Sequence, residues 1–505
     1  MIANTISAEI KGVQVIKIHI EVDTHNGLPQ FNVIGLGDKT IRESSERIKS
    51  AIINSGMQFP MKRITVNLSP AELSKSGSRF DLPMAMAILA SSGQIASKKL
   101  KDSCFIGELS LDGQLKASKG VLPIALSMKK QGIKRLIIPW GNRGEVEEVT
   151  GISIFAFRNL RDVSDFLRNE NNCVVKQVNS CNHRKHKKTK ENNLNFRDVL
   201  GQESAKRAIM ISVSGKHGLL MTGSPGTGKS MLARRIPDIM PPMTMEETLD
   251  VNSIYSIEGK YKGNQGERPF RNPDSGISRV GLLGGGSGRI KAGEVTLAHK
   301  GVLFLDEFCE FKRDVIDSLR IPLETKTVEI TRYGEKIIFP ADFLLIAASN
   351  PCKCGYFMHP EKECICTENQ IRLYQNKISG PVLDRIDMHI YLPPVPYEQL
   401  KKSDGMSTEE MREIVIKTRK IQAKRYEGES FICNGEIPEG SIKKYCRLTE
   451  EADSILQSAY KKMELNPRTL NKILKISRTV ADIDGEEEIK VKHLLEALQY
   501  RERKI

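Results

Sequence analysis

Residues Gly223-Ser-Pro-Gly-Thr-Gly-Lys-Ser230 and, further along, Val302-Leu-Phe-Leu-Asp-Glu307 decide how this chain is read. The first stretch, Gly223, Ser224, Pro225, Gly226, Thr227, Gly228, Lys229 and Ser230, has the spacing G-x-x-x-x-G-K-[ST]. Its glycines let backbone N–H groups close around phosphates, Lys229 reaches the outer ones, and the Ser230 hydroxyl is placed for Mg²⁺. The second is an apolar strand ending in two acids. Asp306 suits the metal shell, and Glu307 suits polarisation of an attacking water. A short apolar strand, His217-Gly-Leu-Leu-Met-Thr222, feeds the glycine loop, and a helix is expected beyond it. Strand, glycine turn and helix together predict an α/β core that binds and hydrolyses a nucleoside triphosphate.

Working outward, Phe343-Leu-Leu-Ile-Ala-Ala-Ser349 reads as another buried strand, ending at Asn350. An amide there can orient water against a γ-phosphate; the plainer alternative is a strand-end cap. Arg385, before the strand Met388-His-Ile-Tyr-Leu392, is a candidate to insert into a neighbouring subunit's site. Arg468, in Asn466-Pro-Arg-Thr-Leu470, opens a helix from which it is expected to reach the γ-phosphate in cis. Structural ion pairs are the alternative for both arginines.

Ten cysteines occur, and four cluster as Cys352, Cys354, Cys364 and Cys366. Paired thiolates separated by a short polar loop suit a structural tetrahedral Zn²⁺ better than disulfides, with His359 as a substitute ligand. Val328 to Phe339 reads as a hairpin turning at Tyr333-Gly334, with Arg332 and Lys336 on its shoulders. These two are candidate DNA contacts in a ring channel, or routine charges on an exposed hairpin.

The 505 residues exceed one core, and about three domains are expected. A hydrophobic fraction of 39% with 28% charged residues describes ordinary globular composition. The start lacks a basic region followed by an apolar core, so no signal peptide is expected. No apolar run approaches the roughly 18 residues of a membrane span, so a cytosolic protein with no membrane partner is expected. The net charge of +15 suits a polyanionic partner. Residues 1–168 alternate strand and helix patterns: strands at 13–22, 63–68, 134–139 and 152–157, helices at 40–55 and 82–92. Residues 169–193 are polar and basic, read as a tether with a nucleic-acid arm as the alternative. Residues 194–396 form the nucleotide-binding core, and 397–505 a separate helical module.

These residues resemble the Mg-chelatase-like AAA+ ATPases of the YifB/ComM type over essentially the whole chain. The resemblance is carried by Asn26-Gly-Leu-Pro29, Phe31-Asn-Val-Ile-Gly-Leu36, Arg79-Phe-Asp-Leu-Pro83, Arg268-Pro-Phe-Arg271, Leu297-Ala-His-Lys-Gly301 and Ser379-Gly-Pro-Val-Leu-Asp-Arg-Ile-Asp387. It implies an N-terminal domain with the Lon protease fold, an AAA+ core, a helical C-terminal lid and a hexameric ring. It also implies ATP with Mg²⁺, Walker A at Lys229 and Ser230, and Walker B at Asp306 and Glu307. Asn350 then becomes sensor 1, Arg385 an arginine finger and Arg468 sensor 2. Two departures stand out. Asp274-Ser275 occupy the place of the family's histidine pair, and Arg79 aligns with the protease serine, with Ser76 and Ser78 nearby. Peptidase activity is therefore not expected.

Three activities follow for test. The first is an ATP-driven ring motor acting on branched or single-stranded DNA, as in branch migration by ComM-like members. The second is a chelatase-type motor that remodels a protein partner. The third is an ATP-dependent protease.

Overall fold

The computed structural model describes residues 2–35, 37–168, 177–178, 194–261, 263, 266–286, 290–332, 335–397 and 405–501. The tether at 169–193 lies outside the described residues except for Gln177 and Val178, as does the turn Tyr333-Gly334. The chain divides into two units, Met1–Lys187 with Thr248–Gln265, and Lys188–Glu247 with Gly266–Ile505.

In the first unit, β1 (Ile2–Lys11), β2 (Gln14–His25), β3 (Gln30–Ile34), β4 (Arg63–Ser69), β5 (Ser103–Phe105), β6 (Arg135–Pro139) and β7 (Ser153–Phe157) form one sheet. Their order is β3-β4-β2-β1-β5-β6-β7. The sequence reading began its first strand at Val13; β1 was missed because its polar positions Thr5, Ser7 and Glu9 break the apolar pattern, yet all three are buried. β1 and β2 pair antiparallel from Ile2↔Asp23 to Lys11↔Gln14. Gly12, with φ +60°, supplies the left-handed turn between them. The helix Asp81–Ser91 is buried at every residue: Leu82 to Ala90 are apolar throughout, and the buried Asp81 carboxylate is paired with Arg47 at 3.0 Å.

The helix Met245–Glu258 crosses the boundary between the units in sequence. Its later residues are built into the first unit. Ile257 is buried with Val121, Ile124 and Ile154, and Ser256 Oγ donates to Glu145 Oε2 at 2.7 Å. Residues 248–265 thus interrupt the stretch read from sequence as one continuous core.

The second unit holds β8 (Leu219–Gly223), β9 (Phe270–Arg271), β10 (Val302–Leu305), β11 (Thr327–Arg332), β12 (Glu335–Pro340), β13 (Leu344–Ser349) and β14 (Met388–Leu392). Five of them make a fully parallel sheet in the order β9-β10-β13-β8-β14. Numbered along the chain, that order is 2-3-4-1-5, so the strand feeding the glycine loop lies inside the sheet. β10 and β13 are buried at every residue, which fits a parallel sheet covered on both faces. β11 and β12 form the separate antiparallel hairpin, with Arg332 opposite Glu335.

The C-terminal part is helical, as expected, with Thr408–Arg425, Glu450–Lys462, Pro467–Ile483 and Val491–Gln499. It does not keep a core of its own. Ile473, Val480 and Leu494 belong to the same buried cluster as Leu219, Phe304 and Ile346. No helix among the described residues is long and apolar enough to cross a membrane.

Candidate nucleotide site

The carboxyl ends of β8, β13 and β10, three adjacent parallel strands, carry the phosphate loop, Asn350 and the two acids. In open parallel sheets this edge forms the ligand crevice. Gly226 and Gly228 have φ +82° and +88°, and a methyl group built on either meets nothing within 4 Å. The loop is an open cradle whose shape needs left-handed backbone. It is held from behind by Gln202, whose Nε2 donates to Pro393 O at 2.7 Å and to Thr227 O at 3.4 Å. Sequence reasoning passed over Gln202; the one signal was the preceding Gly201, since Gln202 itself has φ +58°.

The Lys229 ammonium donates to Gly223 O at 2.6 Å, Ser224 O at 2.9 Å and Asn350 Oδ1 at 3.3 Å. Burial lowers its pKa, partly opposed by Asp306. Ser230 Oγ donates to Asp306 Oδ2 at 2.5 Å, and the Glu307 N–H donates to Asp306 Oδ1 at 3.0 Å. Glu307 is exposed and has φ +52°, unusual for a residue other than glycine. Ser349 Oγ, just before Asn350, donates to Cys309 Sγ at 3.0 Å and so ties the β13 end to the turn following the two acids.

A hydroxyl already against a carboxylate, an ammonium on loop carbonyls and a left-handed glycine loop open to phosphates fit MgATP. Ser230 and Asp306 would hold the ion, and Lys229 with the loop N–H groups would hold the phosphates.

The two arginines are elsewhere. Arg385 forms an ion pair with Glu324 and donates to Pro381 O at 2.6 Å; Arg468 lies 3.6 Å from the same Glu324 carboxylate. Both line a cleft of about 390 Å³ with Gly218, Asp342 and Leu344, at the amino ends of β8 and β13. Five residues of strand, about 16 Å, separate that edge from the phosphate loop. The expectation that Arg468 reaches the γ-phosphate of its own chain is therefore corrected: a side chain anchored on Glu324 faces the opposite end of the sheet.

The thiols of Cys352, Cys354, Cys364 and Cys366 all lie within 4.8 Å of one another. Cys352 to Cys354 is 3.3 Å, Cys354 to Cys364 3.5 Å and Cys352 to Cys364 3.7 Å. Disulfide sulfurs sit at about 2 Å. Four sulfurs tetrahedral about Zn²⁺ at about 2.3 Å stand roughly 3.8 Å apart, so the donor set fits that ion. His359 is not part of the cluster. Its Nδ1 accepts from the N–H groups of Glu361 and Lys362, so the expectation of a substitute ligand is corrected.

On the hairpin, Arg332 Nη1 donates to Gly286 O at 2.9 Å, and Lys336 pairs with Glu329 at 2.7 Å. Asp274 closes a tight turn by accepting from Gly276 N–H at 2.8 Å. In the first unit, the buried Lys75 ammonium donates to the carbonyls of Gly35 and Pro70, Ser78 pairs with Glu108, and Arg79 is buried. These bonds turn the lysine and the serine hydroxyl toward separate partners, which gives no support to a Ser–Lys peptidase.

Three family models cover most of the chain. "Subunit ChlI of Mg-chelatase" matches residues 20–142, "Magnesium chelatase, subunit ChlI" matches 195–400, and its C-terminal model matches 405–501. Competence protein ComM of Haemophilus influenzae is 40% identical over 501 residues, covering 97% of this chain and 95% of that one. The chain belongs to the YifB/ComM family of Mg-chelatase-like AAA+ ATPases. YifB of Escherichia coli is 36% identical, with 97% and 95% covered. The Magnesium-chelatase 67 kDa subunit of Chlorobaculum parvum is 27% identical over 158 residues, 31% of this chain and 23% of that one. Membership agrees with the parallel sheet and with the strand-end position of the Walker residues.

Proposed function

We propose that this family member is a ring-forming ATPase that drives DNA strands, as in branch migration during recombination of incoming DNA. The observation that carries the oligomeric part is the pair Arg385 and Arg468 on one carboxylate, Glu324, at the sheet edge opposite their own phosphate loop. Arginines placed there can serve the nucleotide of a neighbouring copy, as arginine fingers do in trans. The DNA part is supported by the net charge of +15 and by likeness to a protein named for competence. Zinc in the four-thiolate cluster and Mg²⁺ at Ser230 and Asp306 belong to the same reading.

In this reading Lys229 leaves the carbonyls of Gly223 and Ser224 and turns its ammonium toward the β- and γ-phosphates. Ser230 and Asp306 would hold Mg²⁺, which when bound would supply positive charge to the phosphate oxygens. Asn350 orients a water in line with the γ-phosphorus. Glu307 takes a proton from that water as the new P–O bond forms and the bond to the bridging oxygen of ADP breaks. Arg385 and Arg468 of the neighbouring copy then balance the charge developing on the transferred group.

A chelatase-type motor acting on a protein partner is the second reading, favoured by the three chelatase models that match most of the chain. ATPase assays with and without Holliday-junction DNA separate the two. Stimulation by the junction, with strand exchange that Glu307→Gln abolishes while ATP still binds, is the expected result. An ATPase indifferent to every DNA, with junction mobility unchanged, would sink the DNA reading.

A further inference from the structure

We propose that the four-thiolate knot is a brace for the phosphate loop, so that its metal sets the protein's affinity for ATP. The proposal rests on the zinc reading above and goes beyond it in assigning the knot a task in nucleotide binding.

Residues 351–367 contain neither helix nor strand. Ile365 is 85% exposed and Met358 54%, so little apolar burial holds this segment together. A metal joining Cys352 to Cys366 would add the cross-links that tie such a segment together. Sulfurs already gathered 3.3 to 3.7 Å apart need little rearrangement to close on one ion.

What the knot touches gives it a role. Asn350, the amide on Lys229, stands two residues before the first ligand, Cys352, which is fully buried. Between them, Pro351 O accepts from Gln375 Nε2 at 3.0 Å. Gly355, one residue beyond Cys354, has φ +84°, and a Cβ built on it would stand 2.6 Å from Pro225 Cδ and 2.9 Å from Pro225 Cγ. The knot's turn therefore lies directly on the phosphate loop, with no space for a methyl group between them. On its far side the Tyr391 hydroxyl donates to Met358 O at 3.2 Å, fastening the knot to β14, the neighbour of β8. One cross-linked segment thus bears on the phosphate loop, on the catalytic amide and on the strand beside them. The fastening residues Gly355, Gln375 and Tyr391 are positioning residues, since none contacts the site where substrate would lie.

Zinc content by mass spectrometry and affinity for a fluorescent ATP analogue, both on the full chain, test the proposal. Wild type is expected to carry one zinc per chain. Cys364→Ser with Cys366→Ser is expected to carry none and to bind nucleotide about tenfold more weakly, with circular dichroism unchanged. Gly355→Ala is expected to keep its zinc yet weaken nucleotide binding to a similar degree, because its methyl group displaces Pro225. Unchanged affinity in Gly355→Ala, or in a folded zinc-free cysteine variant, overturns the brace. Wild type that binds ATP without zinc overturns it as well. Wild type that binds zinc but no nucleotide overturns instead the ATPase reading beneath it.

Discussion

Lys229 and Asn350, 121 residues apart in sequence, meet at 3.3 Å between the ammonium and the amide oxygen. The contact joins the start of the helix Lys229–Ala233, just after the phosphate loop, to the end of β13. The lysine is also held by two loop carbonyls, so nucleotide binding must exchange three protein hydrogen bonds for phosphate contacts. Asn350 is left with an oxygen turned to the lysine and an amide group that can face a water.

Asn350→Ala should accordingly lower kcat by about 10²-fold, the scale of losing one positioned polar group in a transition state. KM should change far less, because the phosphate cradle is intact. Steady-state ATPase kinetics check this, and a variant altered mainly in KM would point to a binding role.

Arg385 and Arg468 should act on a neighbour. Arg385→Ala alone and Lys229→Ala alone are both expected to lose ATPase activity at least 10²-fold. Mixed in equal amounts under conditions of subunit exchange, they should recover part of the wild-type rate, since some interfaces then pair an intact loop with an intact arginine. A mixture as inactive as its components counts against action in trans.

The hairpin gives a salt-dependent prediction. Arg332→Ala should weaken binding of single-stranded DNA of any sequence and reduce the slope of log affinity against log salt by about 1. Because the guanidinium also holds Gly286 O, its removal frees that carbonyl as well. Fluorescence anisotropy at several salt concentrations is the measurement, and an unchanged slope removes Arg332 from the DNA path.

At the opposite sheet edge, Lys216 bridges Asp342 at 2.5 Å and Glu436 at 2.8 Å, while Lys300 and Lys326 add to the pair. Burial would raise both carboxyl pKa values, but the lysines outweigh it, leaving Glu436 at about 2 and Asp342 well below the usual range. Depressed carboxyl values stabilise the fold above about pH 4.5, and that contribution is lost as pH falls toward 2. Lys216→Met should therefore cost about 3 kcal/mol at pH 7, with the difference from wild type shrinking below pH 4. Thermal melts across that pH range would expose the error if the gap stays constant.

Much of the nucleotide site is legible in the linear chain because its logic is local. The loop from Gly223 to Ser230 and the acids after Leu305 are each short runs whose spacing dictates backbone shape. Asn350 follows an apolar strand in the same way. The buried polar residues of β1 were not legible, because Thr5, Ser7 and Glu9 look like surface until the partner strands surround them. His359 looked like a ligand by spacing alone, and its ring proved to close a turn of its own.

Sequence alone pointed to an α/β core with a glycine loop, lysine, hydroxyl, acids and amide at its strand ends, since each reading depends on residues a few positions apart. Only the tertiary structure brought Arg385 and Arg468 to one carboxylate at the far edge of the sheet. Only it gave residues 248–265 to the first unit and set Gly355 against Pro225. Those relationships join residues tens to hundreds of positions apart. They follow from which apolar faces bury one another, and no local spacing encodes that choice.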